Sequence, residues 1–309
     1  MTQDRPVLGI LLMLGFCVMA PLGDALAKLL GGEIDLAELV AIRMGVQAIV
    51  LAPVVWWLGL SLAPAIARLR LVTLRAILHM VGIGMMFLSL RYLPLADAVA
   101  IAFVMPFIML LLGRFVLNEE VGSRRLIACV VGFIGTLLVM QPSFAEVGWP
   151  ALLPVGVAFD FAFFMLVTRQ LARDVDAVTL QLASGVIACA MLLPLMAVLA
   201  PLNMPGFALT VPASHVWWLV LAMGLLGTGA HLLMTSALKF APSATLAPMQ
   251  YLEIPVAALL GWLIFRDFPN GLALWGIAIT IASGLYIIFR EQKLSRSVRQ
   301  APPTDAPAE

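Results

Sequence analysis

Charge is what this sequence lacks. Only 11% of its 309 residues are Asp, Glu, Lys or Arg, and the net charge is +1. With 63% hydrophobic residues and a mean hydropathy of +1.07, the chain has too little polar surface to face water, so its solvent is expected to be largely lipid. The near-zero net charge gives no footing for a nucleic-acid partner. Cysteine is scarce too: Cys17, Cys129 and Cys189 lie far apart inside apolar runs, with neither a disulfide framework nor metal-ligand spacing. No metal and no cofactor are expected. Enzyme and pump motifs are also missing. There is no HExxH, no GxGD and no GxxxxGK[ST], and Ser184 in "LASG" lacks the leading glycine of GxSG. The chain is therefore not expected to be an enzyme or an ATP-driven pump.

What is present is a series of long apolar runs. A bilayer core needs roughly 20 apolar residues per helix. Ten runs meet that need: 6–30, 36–60, 73–93, 94–116, 125–141, 149–169, 177–200, 214–239, 242–265 and 269–289. Gly31-Gly32, Leu93-Pro94, Gln141-Pro142, Ala241-Pro242 and Pro269-Asn270-Gly271 punctuate them. The expected fold is an all-α membrane protein of ten transmembrane helices, followed by a disordered cytoplasmic tail at 290–309 that ends "APPTDAPAE". With the N-terminus inside, 14 of the 18 basic residues fall in cytoplasmic segments, among them Arg68, Arg70, Arg75, Arg114 and Arg169. The outer segments hold only Arg91 and Arg266, which sets both termini on the cytoplasmic side.

The two halves repeat. "LRYLPLADAVAIAFVMPFIMLLLGRFVLNEE" (90–120) aligns with "LKFAPSATLAPMQYLEIPVAALLGWLIFRDF" (238–268), matching Leu90 with Leu238, Pro94 with Pro242, Gly113 with Gly261 and Glu119 with Asp267. Five spans per unit is odd, so the second copy inserts upside down. Inverted repeats with broken helices are a transporter signature, with the substrate near the midplane. A channel fits poorly, since a pore would need a ring of polar groups from an oligomer.

Lys28 at the end of the first span, Arg43 early in the second, "RYLPLADAVAIAFVMPF…LNEE" and "P-x-x-x-x-x-E-x-P…G" in the ninth together resemble the EamA domain of the drug/metabolite transporter superfamily. The resemblance spans two units, 6–141 and 149–289. "LADAVAIAF" is similar to a subgroup with bacterial riboflavin and S-adenosylmethionine uptake carriers and some metallophore exporters. The resemblance implies a secondary transporter in the bacterial cytoplasmic (inner) membrane. Riboflavin uptake is the first expectation, with S-adenosylmethionine uptake or export of amino acids or metallophores as alternatives. Its partners would be a small-molecule substrate and membrane lipid, with a homodimer as an option and no nucleic acid.

Ionisable groups inside the bilayer cost about 2.5–3.5 kcal/mol each on insertion scales, so each needs a reason. Glu253 is the most expensive, centred in "APMQYLEIPVAALLGW" between Pro248 and Pro255, with Gln250 and Tyr251 within a turn. The two prolines remove backbone donors to the carbonyls of Ala244 and Tyr251, and Pro106 is the matching break in the first half. Breaks and acid together suit a cation, a proton or a polar ligand; a protonated Glu253 holding a kink is the structural alternative. Asp24, Lys28 and Arg43 form either an outer charge cluster or snorkelling cations with one offsetting acid. Asp160 in "FDFAFF" orients a planar ring among phenylalanines, or the rings simply pack. His231 in "GTGAH" carries a proton or packs beside glycines, whereas His79 reads as structural. Asp97, three residues after Pro94, suits the positive end of a helix dipole, and the resemblance keeps a substrate role for it. The expected cavity lies between spans 1, 3, 4, 6, 8 and 9.

Overall fold

The structure is a computed structural model, described over residues 6–105, 107–108, 123–210, 212–241 and 246–300. Every regular element among the described residues is helical: α1 (Pro6–Leu30), α2 (Leu36–Trp57), the five-residue α3 (Ala63–Ala67), α4 (Leu69–Leu90), α5 (Leu95–Ala102), α6 (Ser123–Val147), α7 (Leu153–Leu171), α8 (Ala177–Leu199), α9 (Trp217–Phe240), α10 (Glu253–Leu260) and α11 (Gly271–Gln300). Among the described residues, seven helices are long and apolar enough to cross a bilayer, and Met249–Phe265 and Gly271–Ser283 are shorter apolar stretches. The chain is a multi-pass membrane protein. Trp56 and Trp57 end α2, Trp149 precedes α7, Trp217 and Trp218 open α9, and all five are exposed near helix ends, as an interfacial aromatic belt requires.

Several boundaries differ from the expected spans. Helix α4 begins at Leu69 rather than 73 and carries Arg75, counted from the sequence among the cytoplasmic-end cations, fully buried into the bundle. Helix α6 runs to Val147, past Gln141-Pro142, and stops at Gly148, whose φ of 72° is open to glycine. A proline is tolerated inside a membrane helix where neighbouring helices support the freed carbonyl. Helix α11 continues through residues 290–300, where an irregular tail was expected; "REQKLSRSVRQ" holds neither glycine nor proline. The end of the fourth span, 109–116, and Pro106 lie outside the described residues.

Packing partners respect the repeat. Helix α1 lies against α9 and α4 against α7, two pairings that exchange when the halves are swapped; α2 against α8, α5 against α10 and α6 against α11 map onto themselves. The same exchange is visible atom by atom. The Ser283 hydroxyl lies 2.5 Å from where a side chain at Gly132 would start, and the Thr280 hydroxyl lies 2.5 Å from that point at Gly135. Gly132 and Thr280 are 148 residues apart, as are Gly135 and Ser283, so each contact is the other's image. Small residues let α6 and α11 cross this closely. Earlier in each half the spacing is 141: Asp35 and Asp176 both cap helix N-termini, accepting from the backbone N–H groups of Leu36 and Val178.

Candidate functional site

A cavity of about 130 Å³ lies between α1, α2, α4, α5, α7, α9 and the segment leading into α10. These are the expected spans with one addition: α2 contributes Arg43. Of the sequence-predicted residues, the structure brings Asp24, Arg43, Asp160, His231, Gln250 and Glu253 to this one wall set. Three carboxyl groups and one guanidinium thus face a common space inside the bilayer.

Local backbone explains how the ninth span delivers its polar groups. Residues Ala247–Leu252 form a 3-10 helix, Glu253–Leu260 an α-helix and Gly261–Phe265 a π-helical turn. Pro248 opens the 3-10 segment and Pro255 falls in the first turn of α10, where a missing N–H costs little. Glu253 therefore sits at a change of helical pitch, which aims its side chain differently from a straight helix. The Tyr251 carbonyl is not left open as expected, because the backbone N–H of Glu253 reaches both it and the Gln250 carbonyl. The Tyr251 ring is buried beside Phe103 (5.2 Å between centroids), outside the cavity lining. Gln250 is the more notable neighbour: both its amide O and its amide N are buried without a hydrogen-bond partner among the described residues. A buried amide left unmatched costs about 1–3 kcal/mol, a debt that a ligand in this cavity can settle.

Helix α7 splits its phenylalanines by face. Phe161 and Phe164 line the cavity, whereas Phe159 and Phe163 point outward and are exposed. Phe161 stacks between Phe16 (6.3 Å, interplanar 12°) and Phe164 (5.8 Å, 20°), so three rings make one nearly parallel wall. Asp160 rises beside that wall and presses on Gly82 of α4, where a Cβ would collide with the carboxylate. His231 meets His79 across the cavity, 4.2 Å between ring centroids. His79, expected to be structural, thus lines the site, and neither of its ring nitrogens has a hydrogen-bond partner among the described residues.

Arg75 is the functional-site neighbour that sequence reasoning missed. It is fully buried and donates to Thr168 Oγ1 (2.9 Å), Ser184 Oγ (2.6 Å), Gln181 Oε1 (2.8 Å) and Thr235 Oγ1 (3.3 Å). Its Cζ lies 4.6 Å from the Phe164 ring centroid, behind the aromatic wall. One α4 side chain is thereby tied to three helices of the other half, α7, α8 and α9. The signal was its position: Arg75 shares a helical face with His79, Gly82 and Met86, all of which line the cavity.

Besides Tyr251, two expected residues stand apart from the cavity. Lys28 turns toward the end of the bundle, donating to the Leu93 carbonyl (2.8 Å), approaching Asp267 (3.5 Å) and lying 5.0 Å from the Phe265 ring centroid. Arg169 is its image 141 residues on, donating to the carbonyls of Leu238 and Ala241. Leu93 and Ala241 are themselves 148 residues apart, so the two clamps correspond. Asp97 lies in the first turn of α5, as expected, and its carboxylate accepts from the Ser143 hydroxyl of α6 (2.8 Å). The predicted outer cluster is thus divided: Asp24 and Arg43 face the cavity, and Lys28 secures an end. Lys28–Asp267 (3.5 Å) is an ion pair at one end, and Arg68–Asp174 (2.8 Å), which is not its repeat image, is another.

Comparison with known proteins adds the following. The model of the EamA-like transporter family matches residues 7–141 and again 148–290. The chain is similar to the S-adenosylmethionine uptake transporter of Rickettsia prowazekii (strain Madrid E), 25% identical over 284 residues that cover 92% of this chain and 93% of that protein. It is also similar to the riboflavin transporter of Rhizobium johnstonii (strain DSM 114642 / LMG 32736 / 3841), 30% identical over 227 residues, 72% of this chain and 71% of that one. A solved crystal structure shares the fold with a TM-score of 0.64, covering 95% of this chain and 99% of its own at 16% identity.

Proposed function

The chain belongs to the EamA-like transporter family, and on that premise we propose that it carries S-adenosylmethionine into the bacterial cytoplasm across the inner membrane. The observation that carries this reading is the charge set of the cavity: Asp24, Asp160 and Glu253 with Arg43, beside the wall of Phe16, Phe161 and Phe164. S-adenosylmethionine carries a sulfonium, an ammonium and a carboxylate on its methionine arm, joined through ribose to a planar adenine. Three acids and one guanidinium complement those charges better than they do the uncharged riboflavin expected from the sequence. Riboflavin is the second reading, favoured by the parallel aromatic wall, which takes an isoalloxazine as readily as an adenine.

In this proposal the chain has ten spans in two inverted five-helix units, 6–141 and 149–289, with both termini cytoplasmic. The halves rock about the cavity, and opening at either end breaks one clamp while the other holds. Lys28–Asp267 would part when the site faces outward, and Arg68–Asp174 when it faces inward. Gln250 offers its unmatched amide to the ligand, and Glu253 takes a proton or the sulfonium. No ATP motif supplies energy, so the driving force is the gradient of substrate or of protons.

The test is uptake of labelled S-adenosylmethionine in cells expressing the chain, with excess riboflavin as competitor, and the reciprocal experiment. Saturable S-adenosylmethionine uptake that riboflavin leaves unchanged supports the first reading. Riboflavin uptake without S-adenosylmethionine uptake replaces it with the second.

A further inference from the structure

Arg43 is the one Lys or Arg among the described cavity-lining residues, and it is the only residue that α2 sends there. It is 4% exposed, and its Nη1 is buried with no hydrogen-bond partner among the described residues. The ion pairs formed by described residues do not include it, although Asp24 lines the same cavity. The guanidinium lies flat against the backbone of Gly227 on α9: its Nη2 and Nε are 2.5 and 2.6 Å from where a Cβ at 227 would stand. Glycine at this position gives the fork room at the cavity wall, where Asp24 is its electrostatic neighbour but lies beyond ion-pair contact.

A buried guanidinium with an idle donor and no ion pair is expensive, and the cost is recovered when an anion meets it. The planar fork matches a carboxylate through two parallel N–H···O bonds. A phosphate dianion suits the site less, since Asp24, Asp160 and Glu253 line the same walls. We propose that Arg43, seated on Gly227, is the specificity-determining residue that selects ligands bearing a carboxylate and holds that group during transport. This inference rests on the cavity being the transport site, and it goes beyond the choice of substrate: it says which group of the ligand is read, and by what.

The experiment measures binding to the purified full-length chain in detergent micelles, using two ligand pairs that differ only by a carboxylate. One pair is S-adenosylmethionine and its decarboxylated form; the other is 10-carboxymethylflavin and lumiflavin. For whichever scaffold binds, the wild type favours the carboxylate member by about 10- to 100-fold, the worth of a hydrogen bond to a charged group. Arg43→Gln brings that ratio close to one. Gly227→Ala, which keeps the charge but fills its seat, lowers the ratio as well. A wild-type ratio near one overturns the inference without recourse to any variant. Binding of the flavin pair alone refutes the S-adenosylmethionine reading, while the flavin ratio still judges Arg43. If no member of either pair binds, both proposals fall together.

Discussion

Replacing Arg75 by methionine separates stability from transport. The guanidinium makes four hydrogen bonds to neutral oxygens and sits on the Phe164 face, with no carboxylate beside it among the described residues. Interhelical hydrogen bonds inside membranes average about 0.6 kcal/mol each, so the four together are worth about 2–3 kcal/mol. The cation–π contact adds about 1–2 kcal/mol. Against these stands the several kcal/mol spent on burying a lone cation, which a flexible apolar side chain of similar length does not incur. Ser184 already donates to the Leu180 carbonyl, so its hydroxyl is not stranded by the change. The opposing sums nearly cancel, and Arg75→Met is expected to unfold within about 5 °C of wild type, at roughly 2–4 °C per kcal/mol. Uptake per folded molecule, by contrast, should fall about tenfold or more, the effect of losing about 1.4 kcal/mol of positioning. Thermal unfolding of the purified protein and uptake in vesicles measure the two quantities on one preparation. A midpoint lowered by more than about 10 °C with uptake per folded molecule unchanged would refute this reasoning and make Arg75 a structural tie.

Glu253→Gln keeps the shape of the residue and removes its proton. If protonation there drives the inward step, wild-type uptake rises as the outside pH falls, while the variant's uptake is flat with pH although Asp24, Arg43, Asp160 and the His79–His231 pair remain; an unchanged pH profile excludes the role. Gly82→Ala pushes on the Asp160 carboxylate and is expected to weaken uptake about tenfold, whereas Gly84→Ala, whose Cβ finds only Val40 at 4.0 Å, leaves it unchanged. Gly135→Val meets backbone that cannot yield, the Gly276 carbonyl at 2.8 Å and the Thr280 nitrogen at 2.9 Å, and should cost about 1–3 kcal/mol of stability; Gly45→Ala, with nothing within 4 Å, is the control for a thermal-unfolding comparison.

The parts legible in sequence were those with a high cost attached. Glu253, Asp160, Asp24 and His231 stood out because apolar surroundings penalise them, and the structure gathers all four at one cavity. Arg75 escaped for the opposite reason: counting basic residues near span ends treats each as a loop cation, and a guanidinium six residues into a helix looks the same in that count. The partners of Lys28 were hidden because a backbone carbonyl such as that of Leu93 has no sequence signature. The change from 3-10 to α to π geometry along 247–265 was legible only as two prolines, which mark where a helix yields but not what replaces it.

The halves correspond in packing but not in charge. Position by position, Asp24 answers to Met165 and Asp160 to Met19, each 141 residues apart; Glu253 answers to Met105 and Arg75 to Met223, each 148 apart. At these four positions one copy keeps a charge and the other holds a supple, uncharged thioether. The bundle is a palindrome in shape and a sentence with one direction in chemistry. In the proposed transport cycle, a ligand that lies one way round when the site faces outside lies the same way round when it faces inside. Turned end for end, it would offer its charges to sulfur.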